Sequence, residues 1–164
     1  MPIVEVGFAG LPGVPNAADA LVWVGPGISV EIGFDPATFA ALAGIPIPAP
    51  APGAVAPAPI APQVVLALID TGAQQSMIDE ALAIQLALPL INRQPYSGVG
   101  GPGIANVYLA HVTIPLLGTT QYGAFMGAQL QAGGQAHLAL IGRTLLRGTL
   151  LVYDGEKGSV RIAR

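Results

Sequence analysis

Apolar and polar positions change rhythm several times along this chain, and the changes mark out its elements. Ile3–Phe8 alternates as a short strand. Ile28, Val30, Ile32 and Phe34 fall on one side of an extended segment and Ser29, Glu31 and Gly33 on the other, which predicts a half-buried strand. Leu21–Val24 reads as its partner across the turn Gly25-Pro26-Gly27, after a loop over Leu11–Ala18. Ala37–Ala43 fits one or two helical turns. Val64–Ile69 is a run of six apolar residues that stops at Asp70, with Gly72 close behind, the pattern of a buried strand feeding a tight turn. The period then becomes helical: Ile78, Leu82 and Leu86 predict a short helix ending before Pro89, and Ser76-x-x-Asp79 has the form of a capping box at its start.

Tyr96–Gly103 is glycine-rich, and Ile104–Pro115 and Thr119–Gln131 return to strand patterns. His137–Ile141 is a second buried apolar run, ending at Gly142, and Arg143–Arg147 fits a short helix closed by Gly148. Thr149–Tyr153 and Ser159–Ala163 flank the turn sequence Asp154-Gly155-Glu156-Lys157-Gly158 as a terminal hairpin. The sum is a mainly β fold, a small closed β-barrel with one or two short helices.

The length of 164 residues predicts a single domain over 1–164. Within it, 36–62 is a Pro/Ala-rich insertion whose eight prolines favour a polyproline conformation over a sheet ladder. The same prolines argue against a membrane span in the uncharged stretch Pro36–Ile69. Only 9% of residues are charged, and none of those between Gln94 and Gly142 is Asp, Glu, Lys or Arg. A surface so weakly charged favours association, so a homo-oligomer or an apolar groove is expected. A net charge of −3 leaves no footprint for nucleic acid. The chain has no cysteine, and His111 and His137 have no partner at ligand spacing, so no metal is expected. The N-terminus lacks the basic and apolar regions of a signal peptide, which favours a cytoplasmic location.

Asp70 is the position where chemistry enters. An unpaired carboxylate at the mouth of a buried strand is costly, so it is either a candidate reactive group or a turn former that bonds the local backbone. Gly98–Gly103 satisfies the G-x-G-x-x-G pattern of dinucleotide sites, but Pro102 and a strand follow where that site needs a helix. A glycine-rich hairpin tip fits better.

Three separated motifs then stand in one order: Leu68-Ile69-Asp70-Thr71-Gly72-Ala73, Tyr96-Ser97-Gly98-Val99-Gly100-Gly101 and Leu140-Ile141-Gly142-Arg143-Thr144-Leu145-Leu146. With the terminal Leu151-Val152-Tyr153-Asp154 hairpin, they resemble the retropepsin-like aspartic proteases, the single-domain relatives of pepsin, over roughly 21–35 and 62–164. The resemblance implies a closed barrel of the acid-protease type that acts as a homodimer. It implies an endopeptidase cleaving peptide or protein substrates without a cofactor. Asp70, Thr71 and Gly72 then form the catalytic loop, and the two Asp70 carboxyls of a dimer share a proton and activate one water. Thr71 bonds across the dimer, and Gly72 lets the substrate backbone approach. Ala73, Gln74, Gln75 and the flap residues Ser97, Gly98, Val99 and Gly100 contact substrate, with Leu138 and Leu140 as subsite walls or as ordinary core. Arg143 ties the supporting helix to the catalytic region.

Two departures stand out. The Pro/Ala insertion occupies what viral members bridge with a short turn, and Gln74 and Gln75 stand where those members carry acids, so Arg143 lacks an acidic partner there. Two other classes remain open: a catalytically idle peptide-binding or dimerisation module of the same fold, and a β-barrel binder of small apolar ligands.

Overall fold

The computed structural model describes residues 3–7, 16–42, 52, 58–98 and 101–164. Its ten strands are β1 (Ile3–Gly7), β2 (Gly27–Phe34), β3 (Ile60–Ile69), β4 (Met77–Asp79), β5 (Leu90–Gly98), β6 (Gly101–Ile114), β7 (Thr119–Ala128), β8 (Ala139–Ile141), β9 (Leu150–Asp154) and β10 (Ser159–Ala163). Four short α-helices accompany them among the described residues, α1 (Ala17–Val24), α2 (Pro36–Leu42), α3 (Glu80–Gln85) and α4 (Arg143–Leu146), with one 3-10 turn at Pro115–Leu117. The order β2-β3-β8-β4-β7-β6 closes on itself because β2 also pairs with β6, through Glu31↔Thr113, Ile32↔Val112 and Gly33↔His111. The result is a closed six-stranded barrel, which leaves no free edge among those strands. β5 lies outside the closure and forms a long hairpin with β6.

The alternation along β2 points Ile28, Val30, Ile32 and Phe34 inward, all at 1% exposure or less. They meet Val65, Ala67 and Ile69 of β3, Leu109 and Val112 of β6, and Phe125 of β7 in one apolar core. Complete burial of each large side chain stabilises the fold by about 1.5–3 kcal/mol. The separate three-stranded sheet β1-β10-β9 contributes Val160 and Ile162 of β10 to the same core.

Leu21–Val24 is not a strand but the second half of α1. Asn16 caps this helix by accepting a hydrogen bond from the Asp19 amide, and its side-chain amide donates to the Asp19 carboxylate. The alanine-rich first turn does the rest, burying Ala20 and Leu21 while Val22 and Trp23 stay exposed. The expected loop over Leu11–Ala18 is thus helical at Ala17 and Ala18, and Leu11–Pro15 lies outside the described residues. The expected limit of two short helices is likewise exceeded by α1 and α2.

Both ends of the Pro/Ala tract carry regular structure. α2 begins at Pro36 and buries Phe39 against Phe34 and Tyr122, with ring centroids 5.1 and 5.8 Å away. β3 begins at Ile60, so residues 60–63 do join a ladder. The ladder accepts Pro62 because its register slips there: Phe34 pairs with Ile60 and Ile32 with Gln63, leaving Ala61 and Pro62 opposite Gly33. A proline has no amide to lose at such a bulge.

The expected capping box is also replaced. Asp79, not Ser76, caps α3 by accepting from the Leu82 amide, and its second carboxylate oxygen accepts from the Leu130 and Gln131 amides. One buried side chain thereby fixes both a helix start and the loop after β7, which ends at Ala128 and not at Gln131.

Burial lowers the pKa of His111 and His137 from the ordinary 6.5; nearby Asp35 and Glu31 partly offset this at His111, and at His137 no charge among the described residues does so. Both are neutral in the folded and unfolded chain above that value. As pH falls below it the unfolded chain takes up protons first, so stability is lost. The loss precedes that from Asp35 and Asp154, held below the usual 3.8 by the Thr38 hydroxyl and the Lys157 amide. Urea unfolding at about pH 7.5 and about pH 5 is expected to show lower stability at the acid value, and His137→Leu is expected to shrink the difference.

Candidate functional site

β3 delivers Asp70 to the rim of the barrel. The strand is held on one side by β2 and on the other by a parallel pairing with β8, Ala67↔Ala139, Leu68↔Leu140 and Ile69↔Ile141. At the strand's end the Asp70 amide donates to the Ile141 carbonyl at 3.0 Å. The chain then turns, and Asp70 Oδ1 accepts from the Gly72 and Ala73 amides at 2.9 and 3.1 Å. The carboxylate is half-buried, with one oxygen fixed by two amides and no described residue hydrogen-bonded to the other. The turn-forming bond weighed in the sequence is therefore present, and it leaves Oδ2 available for chemistry.

The segment that follows β8 laces the whole loop into place. The Arg143 guanidinium donates through Nη1 to the Thr71 and Gly72 carbonyls, at 2.7 and 2.9 Å. The amides of Arg143 and Thr144 donate to the carbonyls of Ala73 and Gln74, and the Gly142 amide donates to Ser76 Oγ. Gly142 itself is packed so closely that a Cβ there would stand 2.4 Å from the Gln75 carbonyl oxygen. The acidic partner that Arg143 lacks in sequence is replaced by backbone carbonyls of its own chain. Thr71, Gly72, Gln74 and Gln75 are exposed, and Ala73 is half-buried.

Leu138 and Leu140 are both half-buried, and Leu138 packs against the main core. Leu140 lies in register between Leu68 of β3 and Met77 of β4, and Met77 in turn faces Met126 of β7. Registered neighbours share a sheet face, so this apolar row runs from beside the Asp70 loop into a cleft of about 570 Å³ under the β5–β6 hairpin. Tyr96 and Ile104 wall the cleft from the hairpin, and Met77, Met126 and Leu130 from the barrel; Asp70, Gln74 and Gln75 are not among its walls. Ser97 and Gly98 are exposed at the end of β5, whereas Val99 and Gly100 lie outside the described residues. Gly98–Gly103 is flanked by two strands, so a helix does not follow the glycine pattern.

Sequence reasoning missed the polar network at the base of this hairpin. Glu80, at the start of α3, accepts from Tyr108 and the Asn106 side-chain amide at 2.6 and 2.7 Å, and Asn106 in turn accepts from Arg93 Nε. Burial and the Glu80 carboxylate push the Tyr108 phenol up to about 12, so it stays protonated as a donor. A Cβ on Gly127 would lie 1.7 Å from the Glu80 carboxylate, so any larger residue there displaces that carboxylate from Asn106 and Tyr108. No periodicity marks residues 80, 93, 106 and 108 as partners; only strand register brings them together. No group of three His, Asp or Glu able to hold a metal occurs among the described residues.

Arg143→Ala is expected to destabilise the protein by about 1 kcal/mol, the value of solvent-accessible hydrogen bonds from a charged donor. Hydrogen exchange at the Gly72 and Ala73 amides is expected to quicken more than exchange in β6, because the guanidinium restrains that loop and not the hairpin.

No protein-family model matches the chain, no curated protein matches it significantly, and no helix among the described residues is long and apolar enough to cross a membrane.

Proposed function

We propose that this protein is an aspartic endopeptidase of the retropepsin-like type, active as a homodimer in which each subunit supplies one Asp70. The reading rests above all on the Asp70 loop: a partly exposed carboxylate whose one oxygen is fixed by two amides, on a turn braced by Arg143 and Gly142. A closed barrel with a hairpin beside a cleft that mixes apolar walls, Met77, Ile104 and Met126, with the charged Glu80 and Arg93 supports it further. Thr71 is exposed, which suits a contact with a second subunit.

In this mechanism two Asp70 carboxyls about 3 Å apart share one proton, because they do not both ionise readily. The ionised carboxylate takes a proton from water as its oxygen attacks the scissile carbonyl carbon. The protonated carboxyl gives its proton to the carbonyl oxygen, forming a neutral gem-diol. The newly protonated carboxyl then gives its proton to the amide nitrogen while the other carboxylate takes one from a gem-diol hydroxyl, so the C–N bond breaks to a carboxylic acid and an amine and the pair again holds one proton. The Met77 and Met126 side of the cleft accepts apolar substrate side chains.

The bonds to Asp70 Oδ1 equally suit a carboxylate that only caps its turn. On that observation rests a second reading, a catalytically idle peptide-binding or dimerisation module. Asp70→Asn separates the two, since the amide oxygen still accepts the Gly72 and Ala73 bonds but no longer takes a proton. Cleavage of a peptide library is expected to fall at least about a hundred-fold with the melting temperature little changed; undiminished cleavage removes Asp70 from the mechanism, and no cleavage by the wild type favours the idle module.

A dimeric site also makes rate depend on assembly. Specific activity is expected to fall as the protein is diluted through its dissociation range, followed by light scattering alongside turnover. An active monomer at every concentration excludes a shared dyad.

A further inference from the structure

We propose that a small cavity beside the Asp70 loop binds a neutral hydrogen-bonding side chain, a carboxamide or hydroxyl, of a bound peptide; this rests on the peptide-binding reading above. The cavity, about 210 Å³, is walled by Gln75, Ser76, Gln94, Gln121 and Thr144, with Phe125 beside them. Pockets that take whole small molecules measure about 300–1,000 Å³, so this one fits a single side chain.

Its walls come from separate parts of the chain: the Asp70 loop, β5, β7 and α4. Three carboxamides and two hydroxyls meet there, and none of the walls among the described residues is ionisable. The Gln121 carboxamide oxygen is buried and has no hydrogen-bond partner among the described residues. A donor in the cavity meets this oxygen only once the Gln121 carboxamide turns toward it, and that turn relieves the cost of an unpaired buried acceptor. Ser76 Oγ accepts from the Gly142 amide, which leaves its own proton to donate. The cavity therefore offers both donors and acceptors.

That chemistry selects among side chains. A carboxylate or ammonium finds no counter-charge in the walls and loses hydration on entry. An aliphatic group leaves the Gln121 oxygen unpaired. A Gln, Asn, Ser or Thr side chain supplies N–H or O–H to that oxygen and accepts from the glutamine amides. The site also adjoins the chemistry in sequence and space, since the Thr144 amide donates to the Gln74 carbonyl at 3.1 Å.

The test titrates ¹⁵N-labelled protein with N-acetylglutamine methylamide, and separately with the leucine and glutamate analogues. The side-chain amide signals of Gln75, Gln94 and Gln121 are expected to shift saturably with the glutamine probe, at least about ten-fold more tightly than with the others. Gln121→Leu is expected to abolish the selectivity; if its spectrum is not native, Gln94→Leu serves instead. In a cleavage library, Gln, Asn, Ser and Thr are expected to be enriched at one position flanking the cut, and the Leu variant to shift that position toward aliphatic residues. Equal binding of the leucine and glutamine probes, or no saturable shift, overturns the proposal. Selective binding without cleavage keeps the pocket and overturns the peptidase reading instead.

Discussion

The close contact between the Asp70–Ser76 loop and the Ile141–Thr144 segment is the constraint on which the site depends. Each segment leaves one of two parallel strands, and parallel pairing alone sends both chains out of the barrel at the same rim. Hydrogen bonds then run from the second segment to the first at Ala73, Gln74 and Ser76, while the Arg143 side chain reaches Thr71 and Gly72. Such an arrangement fixes a carboxylate without burying it. A larger residue at 142 would push the two segments apart and loosen each of these bonds together.

Much of this was legible in the sequence because strands β2, β3, β6 and β8 carry strong local patterns. The buried run that stops at Asp70 and the run that stops at Gly142 each announce a strand end, and both lie where the patterns put them. What failed failed for local physical reasons. Val22-Trp23-Val24 has strand propensity, yet Asn16 and Asp19 cap a helix upstream and outweigh it. Ser76 has the spacing of a helix cap, but the Gly142 amide claims its hydroxyl, and Asp79 takes the capping role. The Glu80–Asn106–Tyr108 network joins residues up to 28 positions apart, so only the folded register reveals it.

The few charges are placed with economy. Asp79, 2% exposed, gathers amides from a helix and a loop, and Arg143 gathers carbonyls from a turn. Both side chains serve backbone that regular secondary structure leaves unpaired. The walls near the Asp70 loop are correspondingly neutral, and polarity there comes from amides and hydroxyls.

The bulge at Pro62 has a consequence for how this barrel can vary. α2 is pinned by Phe39, and β3 resumes opposite Phe34, so the two ends of the intervening tract are anchored at one corner of the sheet. For any flexible connection between fixed, neighbouring ends, the closing entropy rises only logarithmically with length, about 0.6 kcal/mol for each doubling. The barrel is therefore nearly indifferent to how many residues pass through that corner, and chains of quite different length can share its architecture.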